Sequence, residues 1–126
     1  MAAAVIPERA RRLILDAIDS VAELEALLLL RDTAGQSWTP DAASARLYVS
    51  RIVAAYSLGA LADRGLLRET ADGFVYQPAS PALAEDVAIL AAAYSQNLIA
   101  VTQLIHAKPG PSVQDFARAF RFRKNP

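Results

Sequence analysis

The sequence predicts a mainly α-helical protein that carries one small β-hairpin in its second half. Two helix starts are marked by a hydroxyl residue followed by proline, Thr-Pro at 39–40 and Ser-Pro at 80–81, with proline at the first helical position. Residues 20–23, Ser-Val-Ala-Glu, have the spacing of a capping box. A glycine-containing turn at 71–73 separates two short strand candidates, which is the pattern of a hairpin. At 126 residues the chain is expected to form a single domain over 1–126.

Composition limits the possible functions. Hydrophobic residues make up 54% of the chain, charged residues 21%, and the formal net charge is zero. Such an apolar composition indicates that a second subunit covers part of the surface. The chain has no Cys and the single histidine His106, which excludes a disulfide framework, a thiolate metal site and a pair of His ligands. Most nucleic-acid binders are basic overall, so the neutral balance weighs against non-specific DNA binding.

Four helices are predicted in the first half of the chain. The first has its apolar residues on one stripe, and the second contains four consecutive leucines at 27–30, which indicates a central helix. In the fourth helix, Ala54, Leu58 and Leu61 form the inward face, and the Ser at position 50 caps its start. The predicted helices span 7–19, 21–33, 40–47 and 51–64.

The hairpin is predicted from the segment LLRETADGFVYQP at 66–78. Its strands are Leu67–Thr70 and Phe74–Gln77, and the Gly of the connecting turn can adopt a positive φ. Pro78 ends the second strand, because proline has no N–H to donate to a neighbouring strand. The residues Gln-Ser-Trp at 36–38 are a candidate for a short third strand that pairs with this hairpin.

A long helix is predicted over 81–107. At 1.5 Å per residue it would be roughly 40 Å long, which is more than a small domain needs to cover itself. Its apolar residues alternate at spacings of four and three, which is a heptad seam suited to a homodimer, with Asn97 fixing the register of the two copies. The alternative is a single long core helix in a monomer. The predicted dimerisation residues are Leu83, Val87, Leu90, Tyr94, Asn97, Val101 and Leu104.

A last helix is predicted over 112–122, and it leads into a basic chain end. One face carries Val113, Phe116, Ala117 and Phe120. One interpretation is that the basic residues contact phosphates. The alternative is an amphipathic helix that docks through its two Phe rings and leaves the cations in solvent. The basic residues are Arg118, Arg121, Arg123 and Lys124.

Two segments, WTPDAASARLYVS at 38–50 and LADRGLL at 61–67, together with the order of the elements, resemble winged helix-turn-helix regulators of the MarR family. The resemblance implies a mainly α fold with a small β-hairpin wing and a long C-terminal dimerisation helix. It implies three parts of one domain. Residues 1–20 form an N-terminal helix that acts as a dimer arm. Residues 21–78 form a winged helix-turn-helix, and residues 79–126 form a long helix followed by a basic helix.

The same resemblance implies a function. It implies a cytoplasmic, bacterial, homodimeric transcriptional regulator that binds double-stranded DNA and needs no cofactor. Many MarR-like proteins bind small aromatic molecules between the dimer arm and the winged domain. By this analogy alone, a small aromatic effector would lie against Leu28, Leu90 and Tyr94.

The fourth helix is the expected reading helix, whose N-terminal half enters the major groove. Arg51 is suited to guanine or phosphate, Tyr56 to phosphate or a base edge, and the aliphatic residues to thymine methyl groups. The face is sparse in polar residues, so the alternative function is a winged-helix module that binds a protein and not DNA. The predicted DNA-contacting residues, which include two of the wing, are Ser50, Arg51, Ile52, Ala55, Tyr56, Arg68 and Thr70.

No catalytic pattern is present in the sequence. There is no glycine-rich phosphate loop, no nucleophile elbow and no cluster of metal ligands, so neither an enzyme nor a metal site is expected. The N-terminus lacks the small-residue cleavage site of a signal peptide. The most apolar window, 87–105, contains Gln96, Asn97 and Gln103, so no membrane span is expected.

Overall fold

A computed structural model describes residues 6–108 of the chain. Within this range the protein is mainly α-helical and has one antiparallel two-stranded hairpin, which confirms the predicted secondary-structure class. The predicted helix at 112–122 and the basic residues 118–124 lie outside the described residues. The elements are α1 Glu8–Ala17, α2 Val21–Asp32, α3 Pro40–Leu47, α4 Arg51–Asp63, β1 Leu67–Thr70, β2 Gly73–Tyr76, α5 Pro81–Gln96 and α6 Leu98–Ala107.

The predicted helix caps are confirmed. The hydroxyls of Thr39, Ser50 and Ser80 each accept a hydrogen bond from the backbone N–H three residues later, at 3.1 Å. In the capping box of α2, the Ser20 hydroxyl accepts from the Glu23 N–H at 3.1 Å. The Glu23 carboxylate accepts from the Asp19 N–H at 2.8 Å, one residue earlier than the sequence pattern predicts, and it also accepts from Arg64, as described below.

The hydrophobic core is shared by all the helices and the base of the hairpin. Helix α1 packs on α5, α2 packs on α4, and α3 packs on α4 across a short turn. The predicted inward residues of α4 are buried, and so is the predicted stripe of α1. The largest fully buried apolar side chains are Ile14, Ile18, Leu24, Leu27, Leu30, Leu58, Leu61, Leu66, Leu90, Val87 and Val101.

The hairpin pairs with the segment before α3 through a single antiparallel β-bridge. The backbones of Trp38 and Phe74 exchange two hydrogen bonds of 2.8 Å, which confirms a third-strand contact at position 38. Strand β2 begins and ends one residue before the predicted bounds, at Gly73 and Tyr76. Gly73 has a φ of +133°, and a Cβ there would lie 2.5 Å from the Trp38 carbonyl oxygen. Only glycine therefore permits this close approach.

The prediction of one continuous helix over 81–107 is wrong. The chain leaves helical geometry at Asn97 (φ −137°, ψ 59°), and α5 and α6 are bent by 114° relative to each other. Asn97 donates its N–H to the Ala93 carbonyl and accepts at its own carbonyl from the Val101 N–H, so it ends one helix and starts the next. The bend turns Val87 of α5 and Val101 of α6 into the same core.

The apolar spacing of this region is therefore explained by burial within one chain. A seam that repeats every three or four residues is expected both for a coiled coil and for helices that pack on their own domain. In the part of the chain that the structure describes, no single helix is long and apolar enough to cross a membrane. The pair α5 and α6 reaches that length and composition only together, across the bend.

Candidate nucleic-acid interface

The candidate interface is built on α3, a three-residue turn and α4. Tyr48 adopts a left-handed conformation (φ 59°, ψ 42°) that ends α3, and Ser50 then caps α4. On the inner side of this pair, Ala43 of α3 and Ala54 of α4 are buried. Because the inner side of α4 is filled by its own core, the opposite side faces solvent. Together with the hairpin, these elements are compatible with a winged helix.

The outer side of α4 is apolar. Ile52 is 80% exposed and Tyr56 is 66% exposed. Ala55 and Gly59 continue the same line at helical spacing, and both are partly exposed. We call these four residues, Ile52, Ala55, Tyr56 and Gly59, the α4 stripe. The stripe carries aliphatic and aromatic surface but no formal charge.

The polar groups at the start of α4 are already engaged. The Ser50 hydroxyl is used by the helix cap. The Nε atom of Arg51 donates to the Asp41 carboxylate at 2.5 Å, and both side chains remain about two-thirds exposed or more. The Nη groups of Arg51 remain able to donate to a phosphate or guanine, but the neighbouring Asp41 carboxylate opposes the approach of a negatively charged phosphate.

The predicted hairpin contacts are only partly available. Arg68 is exposed, and its Nε donates to the side-chain oxygen of Gln77 at 2.7 Å. The Thr70 hydroxyl donates to the Gly73 carbonyl and accepts from the Asp72 N–H, so it closes the turn of the hairpin. Thr70 thus has a structural role that its position in the sequence did not reveal.

Formal charges balance across the candidate interface. Residues 39–77 contain four arginines and four acidic residues. Two of the arginines are paired with carboxylates, Arg51 with Asp41 and Arg64 with the residues described next. The electrostatic attraction that this part of the chain offers to a polyanion is therefore weak.

An ionic cluster that no sequence pattern predicted holds the far end of α4. Arg64, the residue at which α4 ends, donates from Nη1 to the Glu23 carboxylate and to the Ala17 carbonyl, both at 2.7 Å. Its Nη2 donates to Asp19 at 2.8 Å. Glu23 is only 1% exposed, so its charge requires this cation. The capping-box motif located Glu23, but its partner lies 41 residues away and has no local signature.

Lys108 completes the same cluster from the end of α6. Its Nζ donates to the carbonyls of Ile14 and Ile18 and to the Asp19 carboxylate, each at 2.8 Å. The carbonyls belong to the C-terminal end of α1, where the helix dipole favours a cation. The hydrogen bond from Lys108 holds the pKa of Asp19 below its usual value, even though partial burial opposes the charge. We call Asp19, Glu23, Arg64 and Lys108 the ionic cluster.

A groove lies between the start of α4 and the start of α2. It has a volume of about 540 Å³, and its apolar wall includes Ile52 and Val53. A second, smaller depression of about 330 Å³ also borders Tyr56. The residues lining the groove are Asp19, Ser20, Ala22, Glu23, Ile52, Val53, Tyr56 and Ser57.

The predicted dimerisation residues are spread over two helices. Val87, Leu90 and Val101 have no accessible surface, so a second copy cannot reach them in this arrangement. Leu83, Tyr94 and Leu104 are partly buried against the core, and Asn97 lies at the bend. The Tyr94 hydroxyl donates to Glu25, and burial together with this bond raises the pKa of Tyr94 to about 12. The Tyr94 hydroxyl is therefore already hydrogen-bonded within the protein and is less available to the small aromatic effector that the resemblance implies.

Within residues 6–108, no group of three or more His, Asp or Glu side chains is arranged to hold a metal ion. No protein-family model, no curated protein and no solved structure matches the chain. Function is therefore inferred from the α4 stripe, the ionic cluster and the basic chain end.

Proposed function

We propose that the protein is a DNA-binding transcriptional regulator that acts as a homodimer through a winged helix-turn-helix. The observation that carries the proposal is the geometry of α3, its three-residue turn and α4, which leaves the outer side of α4 open from Arg51 to Gly59. A helix presented in this way has the dimensions that a major groove admits. The hairpin that follows α4 would lie beside the groove.

The positive charge needed for phosphate contacts is concentrated outside α4. Residues 109–126 carry four Arg or Lys residues and one Asp. This segment begins directly after Lys108, whose ammonium group shares Asp19 with Arg64 at the end of α4. The basic segment therefore starts beside the ionic cluster at the C-terminal end of α4. In this proposal the segment supplies phosphate affinity and α4 supplies sequence discrimination.

A homodimer makes the proposal energetically reasonable. Each copy offers few polar contacts, and two linked half-sites convert two weak associations into one useful affinity. Exposed aliphatic residues remain outside α4 for subunit contact, Leu98 and Ile99 on α6 and Leu15 on α1. Analytical ultracentrifugation tests this part. A dimer has twice the chain mass of 13.5 kDa, and a clean 13.5 kDa species at micromolar concentration contradicts it.

A second candidate function is a protein-interaction module without DNA binding. The groove of about 540 Å³ beside Ile52, Val53 and Tyr56 favours it, because such an apolar groove could accept side chains from a partner protein. The balanced charge of residues 39–77 favours it as well. The four cations of residues 109–126 have no binding role in this candidate, whereas phosphate contacts would use them, and for this reason we place DNA binding first.

A selection from random duplex DNA separates the two candidates. It should be run with the full chain at about 50 mM and about 200 mM salt, because phosphate contacts weaken steeply over this range. The DNA proposal predicts an enriched motif and binding that falls with salt. Arg51→Ala should weaken binding, whereas Arg12→Ala, which removes an exposed arginine on α1, should not. If no sequence is enriched and bulk DNA is not bound at low salt, the DNA proposal is wrong.

A further inference from the structure

The side chains of the α4 stripe differ from those of most base-reading helices. In the first two turns of α4, the only outward groups that can form hydrogen bonds to base edges are the Arg51 guanidinium and the Tyr56 hydroxyl. The guanidinium is held by Asp41 at 2.5 Å. Ile52 is the most exposed large aliphatic side chain of the described residues, at 80%. An exposed isoleucine in the first turn of such a helix offers only methyl and methylene groups for recognition.

Base edges in the major groove present one apolar group, the C5 methyl of thymine. The other edge atoms are hydrogen-bond donors and acceptors, and an isoleucine that covers them leaves them unsatisfied. An aliphatic reader therefore discriminates in favour of thymine and against cytosine at the contacted position. Ala55 and Tyr56, three and four residues after Ile52, extend the same apolar surface along the groove.

On this basis we propose that Ile52 is a specificity-determining residue that reads the C5 methyl groups of thymines in the target duplex. The inference rests on the proposed DNA binding. It predicts that the preferred half-site contains adjacent thymines where the start of α4 enters the major groove.

The positive charge of the segment after Lys108 is what favours a nucleic acid as the occupant of this apolar surface. The basic segment follows Lys108, which contacts the same Asp19 that binds Arg64 at the end of α4. Its 18 residues can extend up to roughly 60 Å. Helix α4 has 13 residues and is about 20 Å long. The four cations of the segment are therefore within reach of any polyanion that lies along α4, which gives the charge complementarity that an apolar protein partner would not need.

Gly59 at the other end of the stripe is consistent with this occupant. A Cβ added there meets no atom of the protein within 4 Å, so packing within one chain does not require glycine at this position. Glycine in a helix interior is unfavourable for folding. Its absence of a side chain lets a partner approach the helix backbone closely.

The test uses the duplex enriched from the random selection, with the full chain as the binding protein. Every thymine in the half-site is replaced by uracil, which removes only the C5 methyl group. Binding is measured by fluorescence anisotropy for the wild type, for Ile52→Ala and for Arg12→Ala, which removes an exposed arginine of α1 and serves as the control. Circular dichroism checks that the variants fold.

The inference predicts that uracil weakens wild-type binding by about fourfold for each thymine methyl group that Ile52 covers. Ile52→Ala should bind the thymine duplex more weakly and should lose the part of the thymine–uracil difference that Ile52 supplies, and Arg12→Ala should keep the wild-type difference. If the wild type binds thymine and uracil duplexes equally, the inference is overturned while DNA binding stands. If no duplex is enriched at all, the proposed function fails, and a protein becomes the better occupant of the surface.

Discussion

The two ends of α4 have opposite physical character. At its C-terminal end, Arg64 is partly buried and donates hydrogen bonds to two carboxylates and one backbone carbonyl. In its N-terminal half, Ile52 and Tyr56 are largely exposed and meet solvent. The charged groups thus lie at the more buried, C-terminal end of α4, and the apolar side chains lie in its more exposed, N-terminal half.

The contrast indicates that the two ends of α4 have different roles, the C-terminal end in holding the fold and the N-terminal half in binding. A buried ion pair gains little net stability, but it requires one geometry, because removing either partner leaves an uncompensated charge. The ionic cluster therefore fixes how α4 sits against α1, α2 and the end of α6. An exposed isoleucine contributes no hydrophobic stabilisation to the free protein, but its burial against a partner would stabilise the complex. The N-terminal half of α4 has the features of a binding surface.

The largest expected effect comes from breaking the ionic cluster. Arg64→Met should lower the free energy of unfolding by about 3–5 kcal/mol, because Glu23 stays buried without its cation. Urea unfolding followed by circular dichroism measures the change. Arg12→Met is the control, since its pair with Glu8 is exposed and 3.6 Å apart, and it should change stability by less than about 0.5 kcal/mol. A loss below about 1 kcal/mol for Arg64→Met would mean that the cluster does not hold the helix.

The opposite end of α4 should respond in binding and not in stability. Ile52→Glu places a carboxylate on the α4 stripe, where phosphates would repel it, and it should weaken DNA binding more than about tenfold. Because Ile52 is 80% exposed, the free energy of unfolding should change by less than about 0.5 kcal/mol. Anisotropy titration and urea unfolding of the same preparation measure both. Unchanged affinity would remove the α4 stripe from the interface.

Acid should act on the ionic cluster through Asp19. Its pKa in the folded protein is lower than in the unfolded chain, so its contribution is complete above the ordinary value of 3.8 and is lost as pH falls through the lower folded value. Asp19→Asn should therefore cost about 1 kcal/mol or less at pH 7, since the side chain is half exposed. The difference in stability between wild type and variant should shrink below about pH 4. A difference that is constant down to about pH 2 contradicts the ion pairing.

The smallest expected effect concerns Gly59. Gly59→Ala should raise the free energy of unfolding by about 0.5–1 kcal/mol, since the new methyl group enters open space on a helix. The same variant should lower DNA affinity, because the added methyl group stands where the DNA would approach the backbone of α4 at Gly59. Gly73→Ala is the contrasting variant and should destabilise, because its φ is positive and the Trp38 carbonyl lies in the way. A Gly59→Ala protein that is less stable than the wild type would indicate an intramolecular role for this glycine.

Local chemistry explains which parts of the fold the sequence predicted. The caps at Ser20, Thr39, Ser50 and Ser80 were predictable because a hydroxyl acts on an N–H three residues later. The hairpin was predictable from its glycine turn. These are interactions between neighbours in the chain, so short motifs are sufficient to predict them.

Long-range interactions explain the rest. Arg64 meets Glu23 across 41 residues and Lys108 meets Asp19 across 89, and no spacing rule connects such residues. The bend at Asn97 was not predicted for a related reason, because the heptad-like spacing of α5 and α6 is the same whether the helices pack on a second copy or on their own core. The exposed residues of α4 were predictable, since once Ala54, Leu58 and Leu61 are assigned to the core, the opposite face follows from helix geometry.

Binding of DNA by the outer side of α4 is tested most directly by an NMR titration of the ¹⁵N-labelled protein with the selected duplex. The proposed function predicts that the amide signals of residues 50–59 shift with DNA, together with those of the basic segment. The amides of α5 between residues 85 and 93, in the helix that packs on α1, should not shift. Shifts confined to the basic segment, with residues 50–59 unchanged at saturation, would contradict the claim that the outer side of α4 binds DNA.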